Sequence, residues 1–155
     1  MKWVIKLTKV MFVCHGNICR SPMAEFLFKD LVKKEGLENK FYITSSATSL
    51  EEIGNSIHYG TKEILNRYKI KFDDHRAIQL TKSDYDKYNY IIAMDSNNMR
   101  NIFRIIGTDP ENKVYKLLDF SDGGDVKDPW YTGNFDETYE DITKGLKAFL
   151  KKINN

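Results

Sequence analysis

Five consecutive apolar residues, Tyr90-Ile91-Ile92-Ala93-Met94, run without a polar interruption, and this run most narrows what the chain can fold into. A strand with one face in water alternates apolar and polar side chains; an unbroken run of this length reads as a strand buried on both faces. Such strands belong to parallel sheets covered by helices. The rest of the chain agrees, because short apolar runs alternate with amphipathic segments in the manner of βα units. Strands are expected at Val10–Cys14, Phe41–Ser45, Tyr90–Met94 and Val114–Leu118. The expected architecture is therefore α/β and three-layered, one domain over residues 1–155. Residues 1–8, where Trp3, Ile5 and Leu7 alternate with polar residues, read as an extended N-terminal piece leading into the first strand and packing on the sheet.

Capping chemistry places the helices. The first is expected from about Ser21, with Ser21 as N-cap, Pro22 at the first helical position, Ala24, Leu27, Phe28 and Leu31 as the buried stripe, and Gly36 as the stop. Ser56–Tyr68 reads as a second helix. A last one follows an Asn134 cap with Glu137 three residues on, its apolar positions Phe135, Tyr139, Ile142, Leu146, Phe149 and Ile153 recurring at helical spacing. Before it lies a polar stretch, Asp119–Gly133, containing Gly123, Gly124 and Pro129; a loop this long in a compact domain is usually functional.

The 24 Lys and Arg nearly balance the 22 Asp and Glu, giving a formal net charge of +2, so neither nucleic acid nor an anionic membrane is an expected partner. Lys2, Lys6 and Lys9 interrupt the apolar N-terminus, and neither a signal peptide nor a membrane span is expected. The expected location is the cytoplasm. In such a compartment the two cysteines, Cys14 and Cys19, are expected to do chemistry rather than to staple the fold.

Both cysteines fall in Cys14-His15-Gly16-Asn17-Ile18-Cys19-Arg20-Ser21-Pro22, where a strand ends and a helix begins. Six residues there can curl so that successive backbone N–H groups face a tetrahedral anion, reinforced by the positive end of the helix. Gly16 and Asn17 are residue types that tolerate the positive φ such a nest demands. A thiol at its mouth has its thiolate stabilised by the same N–H groups, which makes Cys14 a candidate nucleophile. Arg20 closes the loop with a planar fork for two phosphate oxygens. The alternatives are buried core thiols or half of a zinc site, but none of the three histidines has a recognised zinc spacing with the pair. The Asp119–Gly133 stretch does not match a calcium loop. No metal and no cofactor are expected.

A bare Cys-x5-Arg spacing is weak, but the whole string resembles the signature of the low-molecular-weight protein tyrosine phosphatase family. The resemblance runs from about Val10 to Lys152 and includes Thr44-Ser45-Ser46-Ala47-Thr48, Ala93-Met94-Asp95 and Asp128-Pro129-Trp130-Tyr131. It implies a Rossmann-like phosphatase fold with a four-stranded parallel sheet, and hydrolysis of phosphotyrosine through a cysteinyl-phosphate on Cys14. It further implies Asp128 as general acid and then base, and a polar network of Ser21, Ser45 and His75 holding Asn17 in its turn. Ser21 is also expected to hydrogen-bond the Cys14 sulfur. For His75 the competing view is a surface histidine between Asp74 and Arg76; for Asp128 it is a solvated loop carboxylate. His58 is expected to be a surface or helix residue rather than a ligand.

Trp130 and Tyr131 are expected to wall the substrate ring, with Ile18 and His15 opposite. Glu51 departs from the aromatic rim residue of many relatives and favours partners with basic residues near the phosphotyrosine. The implied partners are phosphotyrosine proteins as substrates, and inorganic phosphate and oxyanions such as vanadate as inhibitors. Two relatives of the same fold compete: thioredoxin-linked arsenate reductases, which need further cysteines that this chain lacks after Cys19, and protein-arginine phosphatases, in which a Thr tends to stand where Ile18 does. A non-catalytic phosphotyrosine-binding module would need neither the thiol nor the acid. Cys14 and Cys19 are close enough in a curled loop to suggest a redox pair forming a reversible disulfide.

Overall fold

The computed structural model describes residues 6–154. In chain order the elements are β1 (Thr8–Cys14), α1 (Arg20–Lys34), β2 (Phe41–Ala47), α2 (Tyr59–Arg67), α3 (Asp84–Lys87), β3 (Tyr90–Ala93), α4 (Ser96–Ile106), β4 (Val114–Lys116), α5 (Pro129–Thr132) and α6 (Phe135–Ile153). The strands form one parallel sheet in the order β2-β1-β3-β4. Of the expected N-terminal extension, Met1–Ile5 lie outside the described residues, and Thr8 already pairs with Phe41 in the sheet.

Alternate residues of a strand point to opposite faces, so β1 feeds both sides of the core. Val10 and Phe12, with Ile43 and Ile92, pack under α1, α2 and α6. Met11, Val13, Ile91 and Ala93 pack against Tyr85, Tyr88, Ile102 and Ile106 of the opposite layer. Phe28 is the hub of the first layer: its ring meets Phe12 at 5.7 Å, Phe41 at 5.5 Å and Phe149 at 5.4 Å. Burying each such ring contributes about 1.5–3 kcal/mol, so α1 is held on the sheet chiefly by packing.

Several boundaries differ from expectation, each for a local reason. The first helix begins at Arg20 with Cys19 at the N-cap position and no side-chain cap; Ser21 is not the cap, because its hydroxyl is engaged below. Pro22 thus sits in the third position, still among the N–H groups that a helix leaves unpaired. Gly36, at φ 71°, closes α1 as expected, its N–H bonding to Lys33 and that of Leu37 to Val32. The second helix starts at Tyr59 rather than Ser56, since Ser56 bridges to Arg76 and His58 supplies the cap. β2 runs two residues past Ser45 and β3 ends one before Met94, while Leu117 and Leu118 leave β4 for a 3-10 turn over Leu117–Phe120. α4, absent from the sequence expectation, is capped reciprocally by Asp95 and Asn98. Within Asp119–Gly133, α5 is a single helical turn. The Asn134 cap accepts the Glu137 N–H at 3.0 Å as expected.

β2 and β3 lie on either side of β1. At that reversal of strand order the loops after β1 and β3 diverge, leaving a crevice beyond the carboxyl ends of the strands. Cys14 is the last residue of β1, and the segment before α5 reaches the same end.

Candidate active site

The loop Cys14–Arg20 lines one cleft together with Glu51, Glu52, Asp128, Trp130 and Tyr131. The structure thus brings together the proposed nucleophile and fork, on one loop, with the proposed acid and aromatic wall from a segment more than a hundred residues further along the chain. Cys14 Sγ accepts the Asn17 N–H at 3.3 Å and lies 3.0 Å from Ser21 Oγ. Trp130 and Tyr131 are exposed, at 58% and 84%, so they stand at the cleft mouth instead of packing as ordinary loop aromatics. Ile18 is buried at the loop's edge.

The loop is braced from behind. Asn17, with no exposed surface, adopts φ 59°, a strained conformation for a residue with a side chain. Its Nδ2 donates to Ser21 Oγ at 2.8 Å and to Ser45 Oγ at 2.9 Å; its Oδ1 accepts from His75 Nε2 and from the Ile78 N–H, both at 3.1 Å. Every partner near His75 Nε2 is an oxygen of Asn17, so that nitrogen carries the proton. Because Ser21 Oγ accepts from Asn17, its own proton is free to point at Cys14. The chain of bonds ends on Glu25, whose Oε1 accepts from Ser45 Oγ at 2.6 Å and lies 3.8 Å from His75 Nδ1. Glu25 was not singled out from the sequence, although a carboxylate amid Met23, Ala24, Phe26 and Leu27 on a buried helix marks a group needing partners.

Gly16 corrects one expectation: it is not at positive φ. Its role is room, since a Cβ there would come within 3.3 Å of Glu52 Cγ.

Arg20 is 2% exposed, and a buried guanidinium needs full compensation. Its Nη1 donates to Asp95 Oδ2 at 2.6 Å and to the Val126 carbonyl at 2.8 Å, and its Nη2 reaches Asp128 Oδ2 at 3.4 Å. Burial alone would lower its pKa; Cys14, Asp95 and Asp128 outweigh that and hold it above the ordinary value. In the sequence Asp95 stands out only as the last residue of Ala93-Met94-Asp95. Its place just past the carboxyl end of β3, one residue beyond the level of Cys14, is the signal that marks it. Asp128 caps α5 through Oδ1, which accepts the Trp130 N–H at 3.0 Å, and this leaves Oδ2 facing the cleft. Glu51 is exposed and pairs with His15 at 3.1 Å across the rim. Cys19 is buried, and its thiol is pushed up to about 12 by that burial and by Cys14 and Asp128. Both cysteines are free.

A thiol ending a parallel strand under a backbone N–H, a buried guanidinium beside it and a carboxylate across the cleft define the class of cysteine-dependent phosphoric monoester hydrolases. A family model described as low molecular weight phosphotyrosine protein phosphatase matches residues 9–155. The low molecular weight protein-tyrosine-phosphatase YfkJ of Bacillus subtilis is 45% identical over 150 residues, covering 95% of this chain and 96% of the relative. The crystal structure of YfkJ superposes with a TM-score of 0.92 at 44% identity over 96% of each chain. A crystal structure of a drosophila arginine phosphatase is also similar, with a TM-score of 0.86 at 26% identity, covering 96% of this chain and 99% of that one. The chain belongs to the low molecular weight phosphotyrosine protein phosphatase family.

Proposed function

We propose that the protein hydrolyses phosphotyrosine in proteins through a cysteinyl-phosphate on Cys14. The observation that carries this is the sulfur itself, which holds the Asn17 N–H and the Ser21 hydroxyl while opening on the same cleft as Arg20 and Asp128. In the first displacement Cys14 Sγ attacks phosphorus, the phosphorus–oxygen bond breaks, and Asp128 gives its proton to the departing phenolate. Arg20 and the loop N–H groups hold the equatorial oxygens, where the transition-state charge spreads. In the second, water attacks phosphorus, its proton passes to Asp128, and the phosphorus–sulfur bond breaks with the Ser21 hydroxyl hydrogen-bonded to the leaving sulfur. Inorganic phosphate and vanadate, tetrahedral or trigonal oxyanions, bind the same loop as inhibitors.

The apolar Ile18 and the Trp130–Tyr131 wall favour an aryl group over a guanidino phosphate, the substrate class suggested by the arginine phosphatase relative. Exposed Glu51 adds a preference for basic residues beside the phosphotyrosine. The protein acts in the cytoplasm, where Cys14 stays reduced, and peroxide inactivates it reversibly through a Cys14–Cys19 disulfide; the raised thiol of Cys19 makes capture slow. The test is initial rates on phosphotyrosine, phosphoserine and phosphoarginine peptides, with Cys14→Ser alongside. Phosphotyrosine turnover that vanishes in the variant while phosphate binding survives is expected. Equal rates on phosphoarginine, or appreciable hydrolysis by Cys14→Ser, would overturn the assignment.

A further inference from the structure

His58 is not needed by the chemistry above, yet it touches both halves of the site. Its backbone N–H donates to the carbonyl of Ile18 at 2.9 Å, and three residues on, Thr61 Oγ1 donates to the carbonyl of Cys19 at 3.1 Å. The start of α2 therefore holds two phosphate-loop carbonyls on the outside of the curl, the orientation that leaves the loop's N–H groups inward. The His58 side chain fixes that start, because Nδ1 accepts the Gly60 N–H at 3.0 Å as N-cap. An accepting Nδ1 means a neutral ring protonated at Nε2, and burial lowers the His58 pKa, with Glu52 opposing.

The same ring reaches the other way. It stacks on Phe135 with centroids 5.1 Å apart and planes 15° from parallel, and it meets the edge of Trp130 at 5.7 Å. Trp130 lies within the helical turn that Asp128 caps, and Phe135 opens the helix that follows it. Gly60 permits this closeness: a Cβ there would come within 2.5 Å of the Phe135 ring.

We propose that His58 is a positioning residue that couples the phosphate loop, through its cap on α2, to the Asp128 segment, through its ring on Phe135 and Trp130. The inference rests on Asp128 being the general acid. The two functions of the side chain separate by substitution. His58→Asn keeps a capping acceptor and removes the ring; His58→Phe keeps a ring and removes the acceptor.

The experiment is steady-state hydrolysis by the full chain of aryl phosphates spanning good and poor leaving groups, with inorganic phosphate as competitive inhibitor. His58→Asn should lower kcat for poor leaving groups roughly 10- to 100-fold, as for a misplaced catalytic group, while activated phenols and the phosphate inhibition constant stay unchanged. His58→Phe should weaken phosphate inhibition about fivefold, the worth of an N-cap, and leave the ratio between poor and good leaving groups as in wild type. A parallel loss of both readouts in both variants would reduce His58 to general packing and overturn the coupling, as would an unchanged His58→Asn. Asp128→Ala in the same series separates the two ideas. If it depends on the leaving group and His58→Asn does not, the coupling alone fails; if it does not, the acid assignment falls and the coupling with it.

Discussion

Replacing Asn17 by alanine is the sharpest perturbation the phosphate loop offers. It removes four hydrogen bonds at once, to Ser21, Ser45, His75 and Ile78. At about 1 kcal/mol net for each, the loss is about 4 kcal/mol. A Cβ held at φ 59° without the local hydrogen bonding that asparagine provides adds about 1–2 kcal/mol. The sum, about 5–6 kcal/mol, is comparable with the whole stability of a small domain, about 5–15 kcal/mol. Asn17→Gly loses the same bonds without the strain and should be about 1 kcal/mol more stable than the alanine variant. Urea unfolding with linear extrapolation measures both. Phosphate protection against unfolding, read in the same melts, reports whether the loop still binds an anion, and it should be nearly absent in both variants. An alanine variant within about 1 kcal/mol of wild type, or a glycine variant less stable than the alanine one, would refute the claim that this network and this strained residue hold the loop.

Asp128→Ala should lower kcat about 10²- to 10⁴-fold for poor leaving groups and much less for activated phenols; a uniform loss would make Asp128 structural. Asp95→Asn keeps the α4 cap acceptor but removes the negative charge that faces Arg20, so phosphate affinity should change while melting shifts little. An equal effect from Asp95→Ala on both measurements would argue against separate roles. Gly145→Ala drives a Cβ to within 2.6 Å of Leu117 Cγ and should destabilise by about 1–3 kcal/mol, which a thermal melt checks. Cys19 ionises near 9.0 when unfolded and at about 12 in the fold. Between these values the unfolded chain binds fewer protons, so its contribution to stability falls as pH rises, by about 1.4 kcal/mol per pH unit. Urea melts from pH 8 upward should show that part of the slope missing in Cys19→Ala, and parallel curves for the two proteins would remove Cys19 as its source.

What could be read from the sequence was whatever depends on neighbours in the chain. The unbroken strand expected over Tyr90–Met94, the Asn134 cap and the Gly36 stop are local signals; the cap and the stop stand where expected, and the strand ends one residue short. Ser21 shows the limit: as a residue type it suits an N-cap, but a hydroxyl already shared between Asn17 and Cys14 cannot also cap a helix. Gly16 was read for backbone freedom when the constraint is Glu52, far along the chain. α4 was overlooked even though Asp95 and Asn98 form a legible capping pair. Glu25, Asp95 and His58 take their meaning from partners far along the chain or from strands that meet only in the fold, as the bonds of Ser45 to Glu25, 20 positions apart, and of Arg20 to Asp95, 75 apart, illustrate.

The contact between Arg20 Nη2 and Asp128 Oδ2 has a consequence for traffic through the site. Asp95 and the Val126 carbonyl hold Nη1, so the partner that a buried guanidinium still needs falls to Nη2. The carboxylate of Asp128 meets Nη2 where the proposed mechanism puts a phosphate oxygen, a tethered understudy for the substrate's charge. On the proposed role of Asp128 as general acid, a phosphoryl group that takes the place of Oδ2 on Nη2 separates the carboxylate from its cation, and the separated carboxylate is the more basic one, able to take up the proton it then gives to the leaving oxygen. On the same reading, the carboxylate and the product phosphate compete for one nitrogen of the fork, and that competition favours release.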